Sequence, residues 1–229
     1  MMYRAKTAAE AWEMVYKDLR KQNLSKKTRG GVVHGEMQNV MVFIEKPHKK
    51  EFSPIRNASM TYAVGELLYY LSGSNILEPI AKLAPFWKSI SPDGETVNSA
   101  YGHKIQNYFG FDQWDYVKEL LKRDPWTRRA IIHIKPAEEE DSKDIPCTLS
   151  LQFQVTNDGK LTLTTVMRSN DIWLGFPYDV FCFTSLQQLM AYELGYKIGE
   201  YCHIAGNMHL YAEHTDQEVL NEKDNIISE

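Results

Sequence analysis

Apolar residues first recur at helical spacing between Ala8 and Gln22, where Trp12, Val15 and Leu19 fall on one face. From Val32 to Ile44 the pattern turns to β-branched residues, densest at Met41-Val42-Phe43-Ile44, and predicts a strand. Met60 to Leu71 reads as a second helix closed by Gly73. Pro92-Asp93-Gly94 marks a turn, Trp114 to Lys122 a third helix and Arg129 to Ile134 a short strand. Leu149, Leu151, Phe153 and Val155 alternate with polar residues, as do Leu161, Leu163 and Thr165. Asn157-Asp158-Gly159 joins the two runs into a hairpin. Val180 to Leu194 then reads as a helix ended by Gly195. Strands and helices mix without a regular β-α-β alternation, which predicts an α+β fold.

Neither a repeat nor a linker divides the 229 residues, so residues 1–229 are expected to form a single domain. A net charge of -4 argues against a general nucleic-acid or membrane surface. No apolar run approaches the roughly 20 residues that cross a bilayer. Met1 to Trp12 lacks a signal-peptide core, and a cytoplasmic protein is expected. The three cysteines, Cys147, Cys182 and Cys202, have no metal-ligand spacing. Free thiols and no metal are expected, which leaves the question of whether one thiol is a nucleophile.

Cys147 follows Pro146 at the start of the predicted hairpin, with Arg128 and Arg129 upstream and Arg168 downstream. Guanidinium groups gathered around it would lower its pKa. Arg128-Arg129 reads alone as a solvated pair; joined by Arg168-Ser169 it reads as a phosphate clamp. Glu66 lies among Val64, Leu67, Leu68, Tyr69 and Leu71. It is either turned outward to water or buried with a raised pKa and a proton to move. Asp179 stands before Val180, where it reads as a helix N-cap. His209 and Tyr211 alternate as on a strand and would offer two hydrogen-bonding groups to a sugar hydroxyl.

Several segments occur in a telling order. They are Gly65-Glu66-Leu67-Leu68, Trp87, Tyr101-Gly102, Arg128-Arg129, Pro146-Cys147 and Gln152-Phe153, then Arg168-Ser169-Asn170-Asp171, Gly175 and His209-Leu210-Tyr211. From about Gly65 to His214 this order resembles the thymidylate synthase superfamily, with Thr28-Arg29-Gly30-Gly31 a looser match to its arginine loop. The resemblance implies a mixed β-sheet flanked by helices and a homodimer formed through the sheet. It implies that Cys147 adds to C6 of a pyrimidine nucleoside 5′-monophosphate. Arg168 and Ser169 would hold the phosphate, with Arg128 and Arg129 reaching in from the second subunit, and Arg29 would join the substrate-binding residues. Glu66 would organise water and move protons, and Tyr101 would stand near the reacting carbon. Asn170 and Asp171 would lie near the base, and His209 and Tyr211 at the sugar. Trp87, Asp171 and Gly175 would line the site of the cosubstrate, 5,10-methylenetetrahydrofolate.

The departures narrow the resemblance. Thr148 stands where these enzymes typically have histidine, Met167 where they have glutamine, and Asp179 where they have asparagine. The sequence ends at Glu229, where the family usually continues into a long segment that closes over folate. Phage deoxycytidylate hydroxymethylases are more similar, in Cys147-Thr148, Met167 to Asp171, Asp179, Asn98-Ser99 and a short tail. Base chemistry agrees: cytosine offers a 4-amino donor and an N3 acceptor, and a carboxylate accepts from the amino group while repelling O4 of uracil. The expected reaction is hydroxymethylation of dCMP at C5. CMP as substrate, a methyl product, and dUMP as substrate remain alternatives. A non-catalytic nucleotide binder would need neither Cys147 nor Glu66.

Overall fold

The computed structural model describes residues 1–138 and 142–215. Strand β1 (Met2–Ala5) leads into helix α1 (Ala8–Arg20), whose N-cap Thr7 accepts a hydrogen bond from the Glu10 amide. Ala11, Trp12, Val15, Tyr16 and Leu19 form the buried stripe that the spacing predicts. Strands β2 (Lys26–Thr28) and β3 (Gly31–Ile44) form a hairpin, followed by α2 (Met60–Leu71), capped by Ser59. Three short helices come next: α3 (Leu77–Leu83), α4 (Phe86–Ile90) and α5 (Tyr101–Gln106). Helix α6 (Gln113–Arg123), capped by Asp112, precedes β4 (Ile131–His133). The predicted hairpin is β5 (Thr148–Val155) and β6 (Lys160–Met167), with Gly159 at φ +72° in its turn. The chain ends its described course with β7 (Asn170–Asp171), α7 (Phe176–Leu194) and the long β8 (Lys197–Tyr211).

Among the described residues the strands form a mixed sheet in the order β1-β3-β8-β6-β5-β4, with β2 attached to β3 and β7 to β8. The β6–β8 and β7–β8 pairs are parallel, which the crossover helix α7 makes possible. Helix α7 buries Phe176, Val180, Phe183, Leu186 and Met190, and joins α1 and α2 in one core with the sheet. The α+β expectation holds.

Helix α7 begins earlier than the sequence suggests. Gly175 occupies the cap position and Pro177 lies in the first turn, where its missing N–H costs nothing. Asp179 is therefore inside the helix and does not cap it; its carboxylate accepts from the Asn170 side chain instead. The predicted strand from Arg129 contracts to Ile131–His133, and the first helix stops at Arg20. The segment beyond residue 215, including the short tail, lies outside the described residues.

Candidate functional site

The β5–β6 hairpin places Cys147 and Arg168 opposite each other, with the Arg168 amide donating to the Cys147 carbonyl at 2.8 Å. The Arg168 guanidinium grips the same loop: Nε donates to the Pro146 carbonyl and Nη2 to the Ile145 carbonyl, each at 3.0 Å. From the other side, buried Asp144 ties the loop to the start of α5. Its carboxylate accepts from the Ser99 amide at 2.9 Å, and its carbonyl accepts from Asn98 Nδ2 at 2.7 Å. That anchor delivers Tyr101, whose hydroxyl accepts from the Thr148 amide at 3.3 Å. The loop bearing the thiol is held from both directions. Burial pushes the Cys147 thiol above its ordinary range, against the pull of Arg168 and the weaker one of Arg29. Of the three arginines expected from sequence to favour the thiolate, Arg168 is present, and it does not outweigh burial.

Two carboxyl groups face each other across the α2–α7 contact. Glu66 is 8% exposed, which excludes the outward, solvated alternative. Tyr62, one turn earlier on α2, donates to Glu66 Oε1 at 3.4 Å, and Trp87 Nε1 donates to the Tyr62 hydroxyl at 3.0 Å. Glu66 Oε2 has no protein partner among the described residues. Burial, then the charge of Asp179, pushes Glu66 up to about 8. Asp179 is pushed up to about 7 by burial, opposed by its hydrogen bond from Asn170 and reinforced by Asp171. Asn170 Nδ2 lies 2.7 Å from Asp179 Oδ2. Gly175 leaves room for that bond, since a Cβ there would stand 2.9 Å from Asn170 Nδ2 and 3.1 Å from Asp179 Oδ2.

Strand β8 supplies the far wall. The His209 and Tyr211 rings lie on the same face, 5.0 Å apart. His209 Nδ1 bonds Asn207, which in turn donates to Glu36 at 2.6 Å. Burial lowers the His209 pKa, so the ring favours the neutral form. The turn carrying Arg29 is seated against Tyr211, because a side chain on Gly30 would collide with the Tyr211 ring. Ser169 follows Arg168, half-buried. Asp171 Oδ1 accepts from the Trp173 and Leu174 amides, at 2.8 and 3.1 Å, and shapes the approach to Gly175.

Arg128 and Arg129 are not gathered with the rest. Both are exposed, and the β4–β5 register pairs Ile131 with Gln152, so the two arginines lie at the end of β5 remote from Cys147. At about 3.3 Å per residue, roughly 20 Å of strand separates them from the thiol, beyond any side chain's reach.

Sequence reasoning missed Tyr62 and the anchoring role of Asp144. Tyr62 carried a signal, since it stands four residues before Glu66 on one helix.

The family model described as thymidylate synthase matches residues 12–225. The chain is 31% identical over 184 residues to the deoxyuridylate hydroxymethyltransferase of Pseudomonas phage M6, covering 79% of this chain and 51% of that protein. It is 34% identical over 163 residues to thymidylate synthase 1 of Bacillus spizizenii, covering 67% of this chain and 58% of the relative. The chain thus spans about half the length of the curated relatives it matches. Thermostable thymidylate synthase A from Bacillus subtilis superimposes with a TM-score of 0.76 at 25% identity, over 95% of this chain and 83% of that one. The thymidylate synthase of T4 phage, at 21% identity and a TM-score of 0.74 over 93% and 79%, shares the fold.

Proposed function

The chain belongs to the thymidylate synthase family, and from that footing we propose that it transfers a one-carbon unit from 5,10-methylenetetrahydrofolate to C5 of dCMP, with water completing 5-hydroxymethyl-dCMP. The observation that carries the cytosine assignment is Asp179, a carboxyl tuned to about 7 and held by Asn170. In its protonated form such a group donates to N3 of cytosine and accepts from the 4-amino group at once.

In this reading residues 1–229 act as a single catalytic domain in the cytoplasm. Arg168, Ser169 and Arg29 bind the phosphate, and His209 and Tyr211 the sugar. The Cys147 thiolate adds to C6, and the Asp179 proton on N3 stabilises the electron density pushed into the ring. Tyr101, fixed by the Thr148 amide, stands at the reacting carbon. Glu66, poised near 8, exchanges protons at neutral pH, and its unpartnered Oε2 is placed to hold the attacking water. Expulsion of the thiolate then releases the product. Phe86 and Leu174, 63% and 50% exposed, flank Trp87 and Gly175 with apolar surface suited to a flat heterocycle. Methylenetetrahydrofolate bound there would supply carbon at the oxidation level of formaldehyde, with Asp171 and Gly175 shaping its seat.

Incubation with methylenetetrahydrofolate and each of dCMP, CMP and dUMP, followed by mass analysis, tests the assignment. The expected result is 5-hydroxymethyl-dCMP with tetrahydrofolate from dCMP. A methylated product with dihydrofolate overturns the hydroxymethyl step, and turnover of CMP alone overturns the deoxynucleotide. Turnover of dUMP alone establishes a second reading, to which the phage M6 relative's name lends weight.

We further infer a homodimer. Met41 and Phe43 of β3 pair with Ile204 and Cys202 of β8, which pair with Val166 and Thr164 of β6. All six side chains are only half-buried, a largely apolar patch, Thr164 apart, on the sheet face opposite the helical core. A second copy seated there would bring its own Arg128 and Arg129 to the phosphate. Refolding an Arg128→Ala, Arg129→Ala double variant with Cys147→Ser should restore about a quarter of wild-type activity, since half the dimers are mixed and each has one intact site. No recovery from two inactive parents would rule out a site shared between the subunits.

A further inference from the structure

Behind Asp179 and Asn170 a buried chain of polar groups continues into residues that the proposed reaction does not use. Asn170 Nδ2 donates to Asp179 Oδ2 at 2.7 Å. The other end of that amide, Oδ1, lies 2.9 Å from His203 Nε2, and His203 Nδ1 lies 2.9 Å from the Tyr201 hydroxyl. His203 and Tyr201 are 0% exposed and Asn170 3%. The chain has one consistent proton arrangement when Asp179 is ionised. The carboxylate requires the amide's N–H, so the amide's oxygen must face His203. The imidazole must then carry its proton on Nε2 and accept the Tyr201 hydroxyl proton on Nδ1.

We propose that His203, backed by Tyr201, is a positioning residue that dictates which face Asn170 turns to Asp179, and through it how Asp179 meets the base. Flipping the Asn170 amide would set its NH2 against the His203 Nε2–H, two donors in a dry pocket, at the cost of a buried hydrogen bond. Asp179 consequently always meets a donor at Oδ2. When protonated, it cannot place its proton on Asn170 and directs it toward the base. The consequence for base choice rests on the cytidylate reading above; the relay itself does not.

The groups facing Asp179 define its titration. Glu66, Tyr62 and Tyr70 approach from α2, and Asp171 from β7. Tyr101, Cys147 and Tyr201 face it from the remaining walls, and Cys182 from its own helix. The phenols and thiols are held neutral by burial, which leaves Glu66 and Asp171 as the charges to track. His203 adds none, since burial lowers it to about 3.

The test uses the full chain and two readouts, the Asp179 carboxyl titration by carbon-13 NMR without nucleotide, and calorimetric affinities for dCMP and dUMP. His203→Phe removes the Nε2–H donor, and Tyr201→Phe removes the hydroxyl that holds the proton on Nε2. Both free Asn170 to offer its carbonyl to protonated Asp179, so the titration should rise by about one unit. The dCMP-to-dUMP affinity ratio should fall about tenfold, because the Asp179 proton is diverted from N3. His203→Gln keeps an N–H in the Nε2 position and should restore both values. An unmoved titration in folded His203→Phe or Tyr201→Phe overturns the relay, as does an equal shift in His203→Gln, which would mark a packing role. Should His203→Phe not fold, Tyr201→Phe decides. A shifted titration in a protein that never preferred dCMP upholds the relay and sinks the cytidylate reading.

Discussion

Asp179→Asn is expected to reverse base preference, lowering the ratio of kcat/KM for dCMP over dUMP by roughly a hundredfold or more, the scale on which buried hydrogen-bonding mismatches discriminate. Uracil requires the new amide to present its oxygen to N3–H and its NH2 to O4 at the Oδ2 position, so Asn170 must turn its own oxygen to meet that NH2, against the orientation that His203 favours. That NH2 meets the O4 acceptor of uracil favourably and the 4-amino group of cytosine as donor against donor. The pH dependence should change with it. In the wild type, kcat/KM for dCMP depends on protonated Asp179, whose loss as pH rises through about 7 should cancel the growing thiolate fraction and level the profile. The asparagine variant has no proton to lose there, so its dUMP profile should keep rising with the thiolate. Competition between the two nucleotides in one reaction measures the ratio directly. An unchanged ratio in a folded variant would show that Asp179 does not face the base, since the helix does not depend on it as a cap.

Much of this site was legible because its chemistry sits on regular elements. Period-two alternation set the β5–β6 register, and that register alone puts Cys147 beside Arg168. The apolar neighbours of Glu66 offered a buried carboxyl as one of two readings, and its burial in the fold decides for it. Strand β8 was legible only at its end, for a physical reason: Ile198, Cys202 and Ile204 occupy its half-exposed face while Gly199 and His203 occupy the buried one. A polarity pattern reads such a strand inside out. The short helices α3, α4 and α5 have too few turns to show a period. Asp179 was misplaced as a cap because Pro177 hid the true start of α7, although proline is favoured in a first turn. Register also separates Arg128 and Arg129 from the thiol, a fact about three dimensions that no spacing along the chain contains.

Cys147→Ser is expected to lower turnover by at least about a thousandfold, equivalent to roughly 4 kcal/mol of transition-state stabilisation. A serine hydroxyl holds its proton far more tightly than a thiol, and among the described residues no base is hydrogen-bonded to this position to remove it. The loop itself should survive, because its anchors are backbone carbonyls to Arg168 and the Asp144 bonds to Asn98 and Ser99. Nucleotide affinity should therefore stay within a few fold while chemistry disappears, a split between binding and kcat that marks a nucleophile. The wild-type rate should carry the same signature in pH. Burial raises the thiol above its ordinary range, so the thiolate fraction grows with pH, while protonated Asp179 declines above about 7. The product of the two is nearly flat between those limits and falls on either side. Mass spectrometry with a 5-fluorinated cytidylate and methylenetetrahydrofolate should find a covalent complex on the wild type and none on the variant. A serine variant that retained turnover, or a wild type that formed no adduct, would remove Cys147 from the reaction and with it the whole mechanism.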